Sequence, residues 1–256
     1  MRSKHFKMTG TAMLLALILI AGFVIGYIRL GTVEMTWIAV PVVIGTLALG
    51  LRSGVILAFA FAVTSLVQIW IPGSWLGLQL INISVLKTVM IVFVPRLLIP
   101  FVTYGVYKLL TSKYDIYIQL GLFLLFGAIA LSDVNSRWFY LIPAVLIASG
   151  VAFFRKDKSR RINYAIACMF GSMTNTLFFL GGVYVLFLGE PAFKTVAEQM
   201  GTSLSAIGAF LTGVALSNGI PEAILAFVLG GAILLVLDTM GYVAVSENKI
   251  KNEEQE

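Results

Sequence analysis

Residues 12–28, AMLLALILIAGFVIGYI, form an uncharged apolar run, and runs of this kind recur along nearly the whole chain. A helix needs about 20 such residues to cross ~30 Å of hydrocarbon. Water-soluble domains alternate apolar and polar positions, so the pattern selects membrane helices. The runs fall near 9–28, 36–50, 53–71, 83–110, 116–131, 138–154, 162–188 and 205–243, giving about eight candidate spans. The links are short, from the tight turn GLRSG to GEPAFKTVAEQMGTS, so residues 1–256 read as one membrane domain. The expected fold class is all-α, a polytopic integral membrane helical bundle.

Composition agrees: 59% of residues are hydrophobic and 12% charged, the profile of a polytopic membrane protein. MRSKHFK precedes the first run like the start of a secretory signal, but further spans follow, and the segment reads as a retained first helix. One cysteine, Cys168, leaves no internal disulfide, and one histidine, His5, leaves no His/Cys cluster for zinc or haem. No GxxxxGK[ST] loop and no HExxH occurs, and His5 alone supports no Ser/His/Asp set. The sequence therefore predicts no cofactor, no enzymatic activity and no ATP hydrolysis by the chain itself.

The net charge of +6 is explained by topology rather than by nucleic acid. With both termini cytoplasmic, Arg2, Lys4, Lys7, Arg52, Lys108, Lys113, Arg155, Lys156, Lys158, Arg160, Arg161, Lys249 and Lys251 lie inside, 13 of the 18 Lys and Arg. Only Arg29, Arg137 and Lys194 face out, as the positive-inside rule requires. Two segments strain the scheme. Residues 36–50 make a short span, and 205–243 are long for one helix, at ~1.5 Å per residue. One long helix broken or kinked near Ser217–Pro221 is expected; a hairpin there is the alternative.

Polar residues inside the spans are the candidates for function. Arg96 lies about halfway along 83–110, where a cation costs about 2.5–3.5 kcal/mol, so it must face the interior and find partners. Pro95 beside it predicts a kink. Lys87, nine residues earlier, projects from nearly the opposite helix face. In GSMTNTLFFLGG (171–182), Ser172, Asn175 and Thr176 share a stripe at i, i+3 and i+4. In SNGIPEAILA (217–226), Asn218 and Glu222 are spaced i, i+4, Pro221 removes an amide donor, and Glu222 can answer Arg96. Such groups also bond between helices for purely structural reasons. Three clusters in three helices favour a pocket, since broken helices near the midplane mark substrate sites in transporters. Small pairs at four-residue spacing, Ala12/Ala16, Gly22/Gly26, Ala58/Ala62 and Ala209/Gly213, suit close helix packing.

These pieces, in this order, resemble the substrate-binding S component of energy-coupling factor (ECF) transporters, in the branch that includes pantothenate and folate S components. The matching stretches are Ala12 to Ala16, VPVVIGTLALGLRSGVILAFAFAVTSL (40–66), VPRLLIPFVTYGVYKLL (94–110), GSMTNTLFFLGGVYVLFLGE (171–190) and SNGIPEAILA (217–226). The resemblance implies a six-span core that captures a small water-soluble vitamin from outside. It also implies partners: a transmembrane coupling protein and two cytoplasmic ATPases. The family's AxxxA docking pattern falls on Ala12 and Ala16, and its substrate pocket on Thr36, Trp37, Arg96, Thr174, Asn175 and Asn218. Two departures stand out: residues 115–156 read as an inserted helical hairpin, and the histidine that opens the family's HIPVIIG pattern is Ala39 here. Pantothenate is the best single ligand. A stand-alone proton-coupled transporter with Glu222 as carrier is the competing reading. An intramembrane enzyme using Arg96 and Glu222 is weaker, because no second carboxylate or histidine lies beside them. The location implied is a bacterial-type plasma membrane.

Overall fold

The computed structural model describes residues 4–24, 29–30, 33–34, 38–71, 74–111 and 160–244, and in these the chain is an all-helical bundle. The inserted hairpin expected at 115–156, and Thr36 and Trp37, lie outside the described residues. Helices α1 (Lys4–Val24), α2 (Ala39–Leu49), α3 (Leu51–Val67), α4 (Trp75–Ile83) and α5 (Val85–Leu110) come first. They are followed by α6 (Arg160–Phe187), α7 (Phe193–Gln199), α8 (Ile207–Val214), α9 (Ile220–Leu225) and α10 (Gly231–Thr239). A two-residue antiparallel ladder, Arg29–Leu30 with Val33–Glu34, occupies the link after α1. Four helical stretches are long and apolar enough to cross a membrane: His5–Phe23, Val85–Leu110, Ile162–Phe187 and Ile207–Thr239; α2 and α3 are shorter apolar helices.

The short run at 36–50 becomes α2, whose 11 residues are all buried. At ~1.5 Å per residue it is only about 16 Å long, and being apolar on every side it belongs in the middle of the bundle. It packs against α1, α3, α5, α6 and α10. Gly50, at φ 102°, makes the reversal into α3, where a side chain would be strained. Gly54, in the first turn of α3, then lies so close to Thr46 that a Cβ there would overlap the Thr46 hydroxyl.

The region 207–239 is one continuous helical stretch, as the sequence favoured, and not a hairpin. It contains two wide π turns, Ala215–Gly219 and Ala226–Gly230, joining α8, α9 and α10. The first stands immediately before Pro221, whose ring and missing N–H oppose a regular α-helical turn. Together these segments form the last helix.

Helix α6 is the hub. It runs antiparallel to α5, with Leu186 beside Lys87, Gly182 beside Ile91, Phe179 beside Arg96, Gly171 beside Thr103 and Tyr164 stacked on Tyr107. It is also antiparallel to the last helix, with Thr176 against Glu222, Cys168 against Gly230 and Ala165 against Gly231. The small pairs divide by role. Ala58 and Ala62 are fully buried, and Gly22 sits close against Thr64, whereas Ala12, Ala16, Ala209 and Gly213 are exposed. A second hydrophobic cluster caps the α6 C-terminal end, where Leu76 and Leu80 of α4 meet Phe187, Phe193 and Val196.

Candidate functional site

Arg96 is 7% exposed and held from two helices. Its Nε donates to Ser65 Oγ of α3 at 3.1 Å, and its Nη1 donates to the carbonyls of Val92 at 2.9 Å and Ile91 at 3.4 Å. A helical side chain points toward its own N-terminus, which brings the guanidinium back to these carbonyls. The absent amide of Pro95 leaves the Ile91 carbonyl without its usual helical donor, and Arg96 uses it. The rings of Phe61 and Phe179 lie 5.2 and 5.5 Å from the guanidinium carbon. Hydrogen bonds to a charged group contribute about 1.5–3 kcal/mol each and a desolvated cation–π contact up to about 2. Together these offset the 2.5–3.5 kcal/mol of placing a cation in a membrane helix. The cage therefore keeps the charge in place by itself. No described residue accepts from Nη2, which remains able to meet another group.

Glu222 brings a carboxylate into the same interior from the last helix. Its Oε2 accepts from Thr176 Oγ1 at 2.9 Å, so the acid anticipated for Arg96 is tied to the stripe of α6. Asn218, 5% exposed, and Glu222, 4% exposed, lie on the buried face of the last helix one turn apart. On α6, Thr174 spends its hydroxyl on the Phe170 carbonyl at 2.8 Å. Ser172 and Asn175 differ: they are 1% and 3% exposed, and neither Ser172 Oγ nor Asn175 Oδ1 has a hydrogen-bond partner. Arg96, Asn175, Asn218 and Glu222 are thus brought into the interior where α5, α6 and the last helix meet, whereas Thr174, also buried, lies ~160° around α6 from Thr176 and so on another side of that helix. Ala12 and Ala16 lie apart from them on the exposed face of α1.

Lys87 takes no part in this cluster. Its Nζ pairs with the Glu190 carboxylate and donates to the Leu186 carbonyl at 2.9 Å, at the α6 C-terminus, where a cation is favoured by the free carbonyls. The separation of the two cations follows from their nine-residue spacing.

Ser65 and Phe61 escaped the sequence reading. They sit one turn apart on α3, and the i, i+4 spacing of an aromatic and a hydroxyl within an apolar span was the available signal. Two apolar grooves adjoin the polar cluster, and a third lies elsewhere on the bundle. One of about 510 Å³ between α6 and the last helix is lined by Thr176, Leu180, Tyr184, Gly208 and Gly219. A second, also about 510 Å³, lies between α5 and α6 beside Pro95 and Gly182. The third, about 490 Å³, follows α2 between α1 and the last helix. Among the described residues no group of three His, Cys, Asp or Glu side chains could hold a metal ion. No known protein family model matches the chain, and no curated protein matches it significantly.

Proposed function

We propose that this protein is the substrate-capturing S component of an ECF-type importer for a small, water-soluble, anionic vitamin, pantothenate being the best single candidate. The observation that carries the reading is the caged Arg96, which retains a free Nη2 donor and stands among buried Asn175, Asn218 and Glu222 from two further helices. A cation desolvated between two aromatic rings at such a convergence suits an anionic ligand. Of the eight expected spans, four coincide with helices long and apolar enough to cross a membrane, α1, α5, α6 and the last helix, and two with the shorter apolar helices α2 and α3. These would form the six-span core, with 115–156 as an inserted hairpin, both termini cytoplasmic and the membrane a bacterial-type plasma membrane. Thr36 and Trp37 would close the site from the first outer loop. Ala12 and Ala16, exposed on α1, would face the transmembrane coupling protein, which brings two cytoplasmic ATPases.

Binding of labelled pantothenate to purified protein tests the reading. Arg96→Gln is expected to reduce affinity at least tenfold, and an unchanged affinity removes Arg96 from the site. Copurification with a coexpressed coupling protein, weakened by Ala12→Leu, tests the partner assignment.

The buried Glu222 carboxylate, held by Thr176 beside a π turn, favours a second reading, proton-coupled transport by the chain alone. Uptake into vesicles without any ATPase, abolished by Glu222→Gln, would support it over the first.

A further inference from the structure

Ser172 and Asn175 are anomalous for a membrane interior. Nearly all buried polar groups have partners, and an unpaired one is costly, yet Ser172 Oγ and Asn175 Oδ1 have none. A serine in a helix can bond back to its own preceding turn, as Thr174 and Thr103 do here with Phe170 and Ile99. Ser172 does not. The two residues lie on the same side of α6 as Phe179, at i, i+3 and i+7, and Phe179 is one of the two rings that cover Arg96. Going down α6 from the guanidinium, Asn175 comes four residues, about 6 Å, below Phe179, and Ser172 seven residues, about 10 Å. The level of Asn175 is fixed by its neighbour Thr176, bonded to Glu222, and that of Ser172 by Gly171, against Thr103 of α5 and Val43 of α2.

We propose that Ser172 and Asn175 form the inner end of the ligand site. The ligand is then an elongated anion with a hydroxyl or N–H donor about 6 Å from its anionic group, at Asn175, and a further polar group about 10 Å from it, at Ser172, whose hydroxyl can donate or accept. It binds with the anion at Arg96 and the opposite polar end deepest. This rests on the vitamin-binding reading given above and adds to it an orientation, a length and a chemical requirement. Asn175 Oδ1 can only accept, so an anion without a donor about 6 Å from its charge leaves it unsatisfied. A site built to hydrogen-bond a substrate group rejects analogues that lack the group far more strongly than an apolar pocket does. The same geometry separates this role from a structural one. A hydroxyl that packs the fold loses stability when removed. A hydroxyl waiting for a ligand is a burden in the empty protein, and its removal leaves the empty protein as stable or more so.

Four carboxylate probes, pantothenate, biotin, lipoate and nicotinate, are to be titrated into purified wild-type, Ser172→Ala, Asn175→Ala and Arg96→Gln proteins, with thermal unfolding of each unliganded protein. Pantothenate, whose terminal hydroxyl lies at the far end from its carboxylate, is expected to bind best. Lipoate, an elongated anion without donors, should bind at least 100-fold more weakly. Ser172→Ala is expected to lower pantothenate affinity at least tenfold while leaving the unliganded melting temperature equal or higher. Wild-type preference for lipoate or nicotinate, unchanged affinity in both Ser172→Ala and Asn175→Ala, or a lowered melting temperature of empty Ser172→Ala overturns the inference. If Arg96→Gln still abolishes binding in that case, the vitamin reading stands without it. Failure of the wild type to bind any of the four overturns the vitamin reading and this inference together.

Discussion

Gly171→Ala tests the packing that positions the site. A Cβ at Gly171 would overlap Thr103 Oγ1 and lie 2.8 Å from Val43 Cγ1, so it meets α5 and the central helix α2 at once. Thr103 cannot swing aside freely, because its hydroxyl donates to the Ile99 carbonyl at 2.7 Å. Overpacking of a tight contact costs about 1–3 kcal/mol, and loss of the Thr103 hydrogen bond adds about 1. The helix-forming advantage of Ala over Gly returns about 0.5–1 kcal/mol. The net expectation is destabilisation by about 1–3 kcal/mol. Gly105→Ala, in the same span as Thr103 but with nothing within 4 Å of its Cβ, is the control, expected to be neutral or stabilising. Unfolding in mixed micelles can be followed by fluorescence of the four tryptophans. In the double variant Thr103→Ala/Gly171→Ala, part of the cost should disappear, giving a coupling of about 1 kcal/mol. If Gly171→Ala falls within 0.5 kcal/mol of wild type, or Gly105→Ala proves the more damaging of the two, close α5–α6 contact does not hold the bundle.

Two further predictions concern contacts that tie helices together. Gln68→Leu removes the Nε2 donor that reaches the Gly22 carbonyl at 2.6 Å and should cost about 1 kcal/mol, read as faster amide exchange at the C-terminal end of α1. Lys87→Met should cost no more than about 1 kcal/mol, because the Lys87–Glu190 pair is about one-third exposed. Its unfolding midpoint should lose the salt sensitivity that the wild type shows, and a much larger loss would show the pair to be shielded from water.

What the sequence made legible, and what it hid, follows from how local each cause is. The need to bury Arg96 and the acid one helix away could be read because a charge in hydrocarbon leaves few options. The partners Ser65 and Phe61 could be placed on one face of their span by their i, i+4 spacing, but a serine and a phenylalanine there do not say which group of another helix they face. Helix α2 shows the same limit. Its length signalled a short element, but an all-apolar helix has no polar face to give its direction, and its central position depends on five neighbouring helices. Lys87 could be placed on the helix face opposite Arg96, while its partner Glu190 lies 103 residues away, beyond any local pattern. Pro221 announced a break in the last helix and could not specify its kind.

That break has a function in the packing. Asn218, Glu222, Ala226, Gly230 and Leu234 are all buried, at every fourth position. On a plain α-helix four residues overshoot a turn by ~40°, so between Asn218 and Leu234 such a stripe would wander ~160° around the axis. The π turn at Ala226–Gly230 lies within the stripe and widens the local turn back toward α6, while the one at Ala215–Gly219 sets the facing of Asn218, where the stripe begins. Pro221 holds the latter open by denying the helix its ordinary bond. Replacing a proline inside a helix by alanine ordinarily stabilises by up to about 3 kcal/mol. Here Pro221→Ala is expected to destabilise, because a turn that reverts to α rotates Asn218 away from Glu222 and separates Gly219 from Thr176, which a Gly219 Cβ would now approach within 3.1 Å. Thermal unfolding decides the sign, and pantothenate binding should weaken with it. A Pro221→Ala protein that melts higher and binds as before would mean that the stripe is aligned by the rest of the bundle and that the wide turn is a tolerated defect.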